Sequence, residues 1–343
     1  MKAVILAGGE GTRLRPLTYT RIKPMVPFLN RPIIEHIVAR LSRQGFREVI
    51  ITTNVKGKEM EEHLGDGSKW GLDLRIIHEH EPLGTAGSVK NAVDGIDDAF
   101  AVIQGDNISE IDIAGLYREH RRMGGLLTIS LIEVDDVSLF GIAEMDGYDI
   151  VRYKEKPRHD ETFSNLANDG IYILEPEVLD MIPLQFYDFS KNLFPRMLEK
   201  GKRICGSVTH AFWRDVGTPK DYLEATHYLL HEKNIIGEGS VIDGSTIMES
   251  VLGSGCTVAN ASITSSVVFD NTKIGRGSKL KNCIVGSNCI LGEDVDIWPG
   301  AVIGDEVVIE KGATIQGNAR IGPRVTIKAG STVDEVVLPE DLR

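Results

Sequence analysis

The sequence predicts two structural classes in one chain: an α/β half on a mostly parallel sheet, then a solenoid of short strands. Two changes of rhythm predict this. Up to about Glu232, short apolar runs alternate with longer amphipathic stretches. From about Ile235, aliphatic residues return at nearly every sixth position. The length of 343 residues agrees, being long for one compact core and comfortable for two.

In the first half, Ala3-Val4-Ile5-Leu6, Val49-Ile50-Ile51-Thr52 and Ala101-Val102-Ile103 read as buried strands bounded by glycine or polar residues. Ile33 to Gln44 and Ser88 to Val93 carry helical spacing between them. Strands alternating with helices imply a layered, Rossmann-like sheet whose ligands gather at the carboxyl ends of the strands. The loops after those strands are where chemistry is expected.

In the second half, Val285, Leu291, Ile297, Ile303, Ile309, Ile315, Ile321, Ile327 and Val333 keep a strict six-residue step. From Ile236 to Leu280 the same pattern runs in steps of five or six. Two residues before each strict-register aliphatic stands a small or β-branched residue such as Cys289, Ala301 or Ala313. Neither a helix nor a simple strand has this period, but short strands joined by tight turns do. The region resembles the hexapeptide-repeat, left-handed parallel β-helix family. The expected division is 1–232 for the α/β domain and 235–338 for the β-helix. Cys256, Cys283 and Cys289 are expected as core fillers, with Cys283 and Cys289 on neighbouring faces. The last histidine is His231, so the repeat region lacks the general base that hexapeptide acyltransferases usually carry.

The formal net charge of -12 argues against a nucleic-acid-coating role, which needs a basic surface. No segment approaches the ~20 apolar residues that span a bilayer, so no membrane partner is expected. The apolar run at the N-terminus is too short for a signal peptide, and the four cysteines form no CxxC pair. A cytoplasmic location with reduced thiols is the expectation.

The first strand runs into Gly8-Gly9-Glu10-Gly11-Thr12-Arg13-Leu14-Arg15-Pro16-Leu17-Thr18, followed by Lys23-Pro24. Glycines after a strand let backbone N–H groups approach an anion. It is not a P-loop, lacking GK[ST], nor the dinucleotide fingerprint, since Leu14 replaces its last glycine. Arg13, Arg15, Arg21 and Lys23 against Glu10 give a local balance of +3 in an acidic protein. That concentration of cations suits a phosphorylated ligand.

This loop resembles the signature of the sugar-1-phosphate nucleotidyltransferases, GGxGTRLxPLT followed by KP. Pro82-Leu83-Gly84-Thr85-Ala86-Gly87, Gln104-Gly105-Asp106-Asn107, Glu155-Lys156-Pro157, Asn168-Asp169-Gly170-Ile171-Tyr172 and Trp213-Arg214-Asp215-Val216-Gly217 resemble its later motifs, in the family's order. The resemblance implies attack of a sugar-phosphate oxygen on the α-phosphorus of a nucleoside triphosphate, releasing pyrophosphate. A phosphate monoester is largely ionised at neutral pH, so catalysis is mainly positioning and charge stabilisation.

By that resemblance Leu6, Gly8, Gly9, Gly11, Thr12, Arg13, Glu79, Gly84 and Thr85 bind the nucleotide. Arg13 steadies the triphosphate, Lys23 is a second phosphate cation, and Lys156 holds the sugar phosphate. Gly141, Glu155 and Asn168 meet the sugar, and Asp106 with Asp215 holds Mg²⁺. Catalysis is assigned to Arg13, Lys23, Asp106 and Lys156. The chain departs from the usual NAG triplet at Asp169 and from the usual Asn or Leu at Gln104.

Glu79 stands where thymidylyl and uridylyl relatives commonly carry Gln. A carboxylate only accepts hydrogen bonds, which suits the adjacent N1–H and N2–H₂ donors of guanine. Phe194-Pro195-Arg196-Met197 and Phe212-Trp213-Arg214-Asp215-Val216-Gly217 also most resemble guanylyltransferases for mannose 1-phosphate, so the resemblance implies GTP and mannose 1-phosphate as the pair. The alternatives are thymidylyl or uridylyl transfer to glucose 1-phosphate, and a non-catalytic regulatory subunit of the same fold. The alternating His78, Glu79, His80, Glu81 edge is expected to be solvated rather than metal-binding. A homo-oligomer through the β-helix is expected, because open coil ends and apolar flanks favour association.

Overall fold

The computed structural model describes residues 1–54 and 57–342. Two compact units emerge, one of residues 1–9 and 34–215, the other of residues 10–33 and 216–343. The glycine-rich loop is thus divided, its part from Glu10 onward grouping with the repeats.

In the first unit the chain forms β1 (Lys2–Leu6), α1 (Ile33–Arg43), β2 (Glu48–Asn54), α2 (Lys58–Leu64), β3 (Asp73–Glu79), α3 (Gly84–Ala92) and β4 (Phe100–Gln104). Then follow β5 (Asn107–Ser109), α4 (Ile113–Met123), β6 (Leu127–Glu133), β7 (Gly141–Asp146) and β8 (Asp149–Glu155). β9 (Leu166–Leu174), α5 (Phe194–Glu199), β10 (Ile204–Thr209) and β11 (Trp213–Asp215) complete it. α1 buries Ile33, Ile34, Ile37, Val38 and Leu41, the one-sided stripe its spacing requires. α4 starts where the Asp112 carboxylate accepts the Gly115 N–H at 2.8 Å and stops at Gly124, whose φ is 69°.

The nine strands lie in the order β3-β2-β1-β4-β9-β6-β10-β8-β7. β3, β2, β1 and β4 run parallel, and β9 enters antiparallel beside β4. Successive connections leave β1 on opposite sides, so a switch point lies at the carboxyl ends of β1 and β4. There the Gly105 N–H donates to the Leu6 carbonyl at 2.8 Å, and a Cβ on Gly105 would stand 2.7 Å from that oxygen. The sheet is mixed: the expected parallel arrangement holds for β3-β2-β1-β4 and returns between β6 and β10, while β4–β9, β9–β6, β10–β8 and β8–β7 pair antiparallel.

α3 begins four residues before the predicted Ser88. Its first turn is too small to show an apolar period, and the reason is packing. The Ala86 and Gly87 N–H groups both donate to the Tyr187 carbonyl at 2.9 Å, and a Cβ on Gly87 would stand 2.6 Å from the Gln185 carbonyl.

The second unit holds the segment 10–33, then α6 (Pro219–Leu230) and the repeats. α6 opens with Pro219 and a reciprocal Thr218–Asp221 cap. The repeats form three parallel sheets of seven, six and six strands, the left-handed β-helix of the hexapeptide class. Ile284 lies opposite Val302, and Val302 opposite Arg320, so a regular coil takes 18 residues. Upstream, Val251 lies opposite Val267, a coil of 16, which accounts for the five-residue steps there.

The strict-register aliphatics from Val285 to Ile321 are at most 2% exposed, and Cys256, Cys283 and Cys289 are fully buried with them. Burial pushes the Cys283 and Cys289 thiols up to about 12, so both are inert fillers as expected. Hydroxyls complete the stack. The Thr272 hydroxyl donates to the Gly286 carbonyl at 2.8 Å and accepts the Cys289 N–H at 3.1 Å. Ser278 does the same for Gly292 and Val295. Among the described residues no helix is long and apolar enough to cross a membrane.

Candidate active site

At the end of β3, Glu79 faces the first turns of α3. The Ser88 hydroxyl donates to Glu79 Oε2 at 2.9 Å. Glu79 Oε1 is buried and has no hydrogen-bond partner among the described residues, which is costly for a carboxylate. Burial pushes the Glu79 carboxyl above its usual range, and the Ser88 hydrogen bond opposes this. Its neighbour His78 shares a 2.7 Å hydrogen bond with Glu61, which raises its pKa. That pairing places the histidine on a surface ion pair.

Gly84 has φ of 69° and would place a Cβ 2.8 Å from the Tyr187 carbonyl. The Thr85 N–H and hydroxyl both donate to Asp188 Oδ1 at 3.2 Å, while the Phe189 N–H donates to the Thr85 hydroxyl at 3.0 Å. Gly84 and Thr85 therefore fix the start of α3 against the 187–189 segment. The signal for Asp188 was absent from the sequence because its partner is 103 residues away.

Asp106 lies in the turn between β4 and β5, and Asp215 ends β11. β5 and β11 pair antiparallel, with Asp215 opposite Asn107, so the ladder makes the two aspartates neighbours. Asn107 Nδ2 and Trp213 Nε1 both donate to the Asp169 carbonyl, at 2.7 and 2.8 Å, tying the hairpin to β9. Among the described residues, no three His, Cys, Asp or Glu side chains are grouped to hold a metal. Two carboxylates fit a hard cation whose remaining ligands are phosphate oxygens and water.

The sugar residues expected from the sequence converge. The Tyr153 hydroxyl donates to Ser190 Oγ at 3.0 Å and lies 3.4 Å from Glu155 Oε2. Asn168 Nδ2 lies 3.2 Å from the Tyr153 hydroxyl, 3.0 Å from that of Tyr172 and 3.3 Å from Ser190 Oγ. A Cβ on Gly141 would stand 1.8 Å from the Tyr153 hydroxyl and 2.8 Å from Glu155 Oε2, so only glycine fits. Burial raises the Glu155 pKa, opposed chiefly by the charge of Lys156. Lys156 is exposed and holds φ of 45°, a left-handed conformation costly for a side-chain-bearing residue. Its N–H donates to the Phe140 carbonyl at 2.9 Å. Tyr172 lies in a motif the sequence displays, whereas Tyr153 and Ser190 join this cluster with nothing in their spacing to mark them.

Neither departure from the family pattern is exposed. Gln104 is half-buried at the end of β4, where a Cβ on Gly170 would stand 2.6 Å from its Cγ. Asp169 is buried, accepting from the Ser130 hydroxyl at 2.5 Å and the Ile171 N–H at 3.0 Å. Burial holds its carboxyl up at about 7, against those hydrogen bonds and the charge of Arg40. Arg40, also buried, donates through Nη1 to Ser109, while its Nε and Nη2 have no partner among the described residues. Its own pKa is lowered to about 10 by the same desolvation.

Gly8 and Gly9 are exposed, and a Cβ on Gly9 would meet no atom of the described residues within 4 Å. In the second unit, Gly11 has φ of 64° and would place a Cβ 2.8 Å from that of Lys23. The Thr18 hydroxyl donates to the Gly11 carbonyl at 2.8 Å, closing the loop on itself. Thr12 and Arg13 are exposed, whereas Lys23 is 6% exposed. Arg21, counted from the sequence among the phosphate cations, instead pairs with Asp305. The guanidinium of Arg15 lies 4.9 Å from the Tyr19 ring centroid.

Residues 2–232 match the family described as Nucleotidyl transferase. The chain belongs to that family. Residues 300–335 match the bacterial transferase hexapeptide family, and residues 220–315 the LbH domain of the EIF2B epsilon subunit. A rice protein named "Probable mannose-1-phosphate guanylyltransferase 2" is 34% identical over 87% of this chain and 92% of its own. A UTP–glucose-1-phosphate uridylyltransferase of Synechocystis is 30% identical over 88% and 92%. The crystal structure of HddC from Yersinia pseudotuberculosis is 30% identical with a TM-score of 0.57, covering 65% of this chain and 97% of that one. As a nucleotidyl transferase with such relatives, the chain is a sugar-1-phosphate nucleotidyltransferase. Nucleotide and sugar-phosphate substrates are consistent with this family, whose members commonly use a divalent metal.

Proposed function

We propose that the chain joins GTP to mannose 1-phosphate, giving GDP-mannose and pyrophosphate with Mg²⁺. The observation that carries the choice of base is Glu79. One carboxylate oxygen is held by Ser88, and the other is buried without a donor among the described residues. Guanine supplies N1–H and N2–H₂ as adjacent donors. A uracil or thymine ring offers one imide donor flanked by acceptors, which a carboxylate repels.

An oxygen of the sugar phosphate attacks the α-phosphorus, the α–β bridging bond breaks, and pyrophosphate leaves with that electron pair. Arg13 and Lys23 are assigned to the triphosphate, whose departing end gains charge. The open backbone of Gly8 and Gly9 suits close approach of a phosphate. Lys156 is assigned to the attacking phosphate, and its left-handed backbone aims it from the turn after β8. Glu155, Asn168 and the Gly141 backbone are assigned to sugar hydroxyls. Asp106 and Asp215 would hold Mg²⁺, which would neutralise charge on the phosphate oxygens.

The assigned domains are 1–232 for catalysis and 235–338 for the solenoid. Self-association through the solenoid is supported by exposed Val241, Met248, Ile290 and Trp298. A monomeric mass in solution would refute it.

The deciding experiment measures pyrophosphate release over GTP, UTP, dTTP, ATP and CTP against mannose, glucose and N-acetylglucosamine 1-phosphates. Turnover confined to GTP with mannose 1-phosphate is expected. UTP with glucose 1-phosphate as the active pair would favour the Synechocystis-like reading. In Glu79→Gln, KM for GTP should rise about tenfold or more, the cost of unpairing buried donors. An unchanged base preference would remove Glu79 from recognition.

A further inference from the structure

Among the solenoid's described residues, the buried side chains are uncharged with one exception. That exception is Asp305, at 5% exposed. Such a group persists only when paired and hydrogen-bonded. Its Oδ1 accepts the Ser287 N–H at 2.8 Å, a corner contact that Asp270 repeats with Ser254 at 2.7 Å. Its Oδ2 accepts instead from the segment 10–33, taking the Thr20 hydroxyl at 2.5 Å and the Arg21 guanidinium.

The attachment has a second point. The Arg21 guanidinium also lies 5.4 Å from the centroid of Phe269, a solenoid ring that is 3% exposed. On the other side of Lys23, the Pro27 carbonyl accepts the Tyr222 hydroxyl at 2.5 Å, and Tyr222 packs edge-on with Phe28 at 5.6 Å. Tyr222 in turn meets Phe269 at 6.5 Å. These anchors bracket Lys23, a buried cation against which Gly11 closes the loop. Freeing one end would let Lys23 and the Gly11–Thr12–Arg13 turn relax.

We propose that Asp305 is a positioning residue for nucleotidyl transfer. By holding Thr20 and Arg21 it fixes the segment carrying Lys23 and Arg13, so the hexapeptide region sets affinity for the triphosphate. The inference rests on the reading that this loop binds phosphates.

The full chain and its Asp305→Asn, Asp305→Glu, Thr20→Val and Arg13→Ala variants are compared. Binding of inorganic pyrophosphate in magnesium buffer is measured by calorimetry, and turnover with GTP and mannose 1-phosphate gives both KM values. Asp305→Asn should weaken pyrophosphate about tenfold, the scale of a small loss of positioning, and raise KM for GTP in parallel. KM for mannose 1-phosphate should stay within about twofold. Asp305→Glu should recover part of the loss. Thr20→Val keeps both charges and should show a smaller loss at an unchanged melting temperature. It therefore decides the matter if Asp305→Asn does not fold.

Pyrophosphate affinity lost in Arg13→Ala but retained in Asp305→Asn, or in Thr20→Val where only that variant folds, would overturn the positioning role alone. Affinity retained in Arg13→Ala, or absent from the unaltered chain, would overturn the loop reading and the inference with it. Equal rises in both KM values would also overturn it, by showing general damage.

Discussion

The α/β unit and the solenoid handle buried polar atoms in opposite ways. In the solenoid, Ser250, Ser266, Thr272 and Ser278 are buried, and each hydroxyl is matched to backbone of its own or a neighbouring coil. In the α/β unit, Glu79 Oε1 and two nitrogens of Arg40 remain buried without partners among the described residues. The stacked coils satisfy these hydroxyls locally, and their one buried charge among the described residues, Asp305, is met by Thr20 and Arg21 of the 10–33 segment. A region that meets a ligand keeps some interactions unmade until the ligand arrives.

Three substitutions test that contrast, taken here from the strongest effect downward. Asp106→Asn keeps the side chain's size and removes its charge. Turnover should fall about a thousandfold or more, comparable to losing a preorganised charge contact of about 4 kcal/mol, while the melting temperature holds. Pyrophosphate release at the normal rate would end the metal assignment and blur the contrast.

Ile303→Ala is the converse experiment. It empties one layer of a dry aliphatic stack in which Ile303 is fully buried. Unfolding in denaturant should show a loss of about 2–5 kcal/mol, with kcat per folded molecule nearly unchanged. A large fall in kcat without loss of stability would mean that this layer acts on catalysis directly.

The mildest effect concerns pH. Burial raises the Asp169 carboxyl to about 7, whereas the unfolded chain presents an ordinary aspartate near ~4. Between those values the native state holds a proton that unfolding releases. The stability this adds is fully present below the unfolded value and is lost as pH rises through about 7. The melting temperature should therefore fall between pH 6 and pH 8 more in the unaltered chain than in Asp169→Asn. Parallel curves would assign the carboxyl an ordinary pKa, held down by Arg40 and Ser130.

Legibility differed between the two regions for a physical reason. The solenoid repeats one packing problem, so its answer is written in a single period that survives even where coils shorten from 18 to 16 residues. The α/β elements were readable where an apolar stripe exists, as in α1. They were harder to read at α3, whose glycines serve backbone contacts with the 185–187 segment. In the site, motif order pointed to Glu79, Asp106, Glu155 and Asp215. Ser88, Asp188, Ser190 and Tyr153 enter through tertiary contacts that no local spacing encodes. Arg21 shows the complementary error: a cation beside others in sequence is neutralised by Asp305, 284 residues away.

The hydroxyl ladder of the solenoid carries a consequence for inheritance. The hydroxyls belong to the early coils, but every coil presents the next with the same backbone donors and acceptors, so strand pairing does not depend on how many coils precede it. Duplication of a whole 18-residue coil beyond Asp305 would leave every downstream strand pairing in register and the Thr20 and Arg21 contacts untouched. An insertion of a few residues within a strand would put hydroxyls and aliphatics on the wrong side of the wall from that point on. Beyond Asp305 the packing therefore tolerates added length only as whole coils or in the corners that join them.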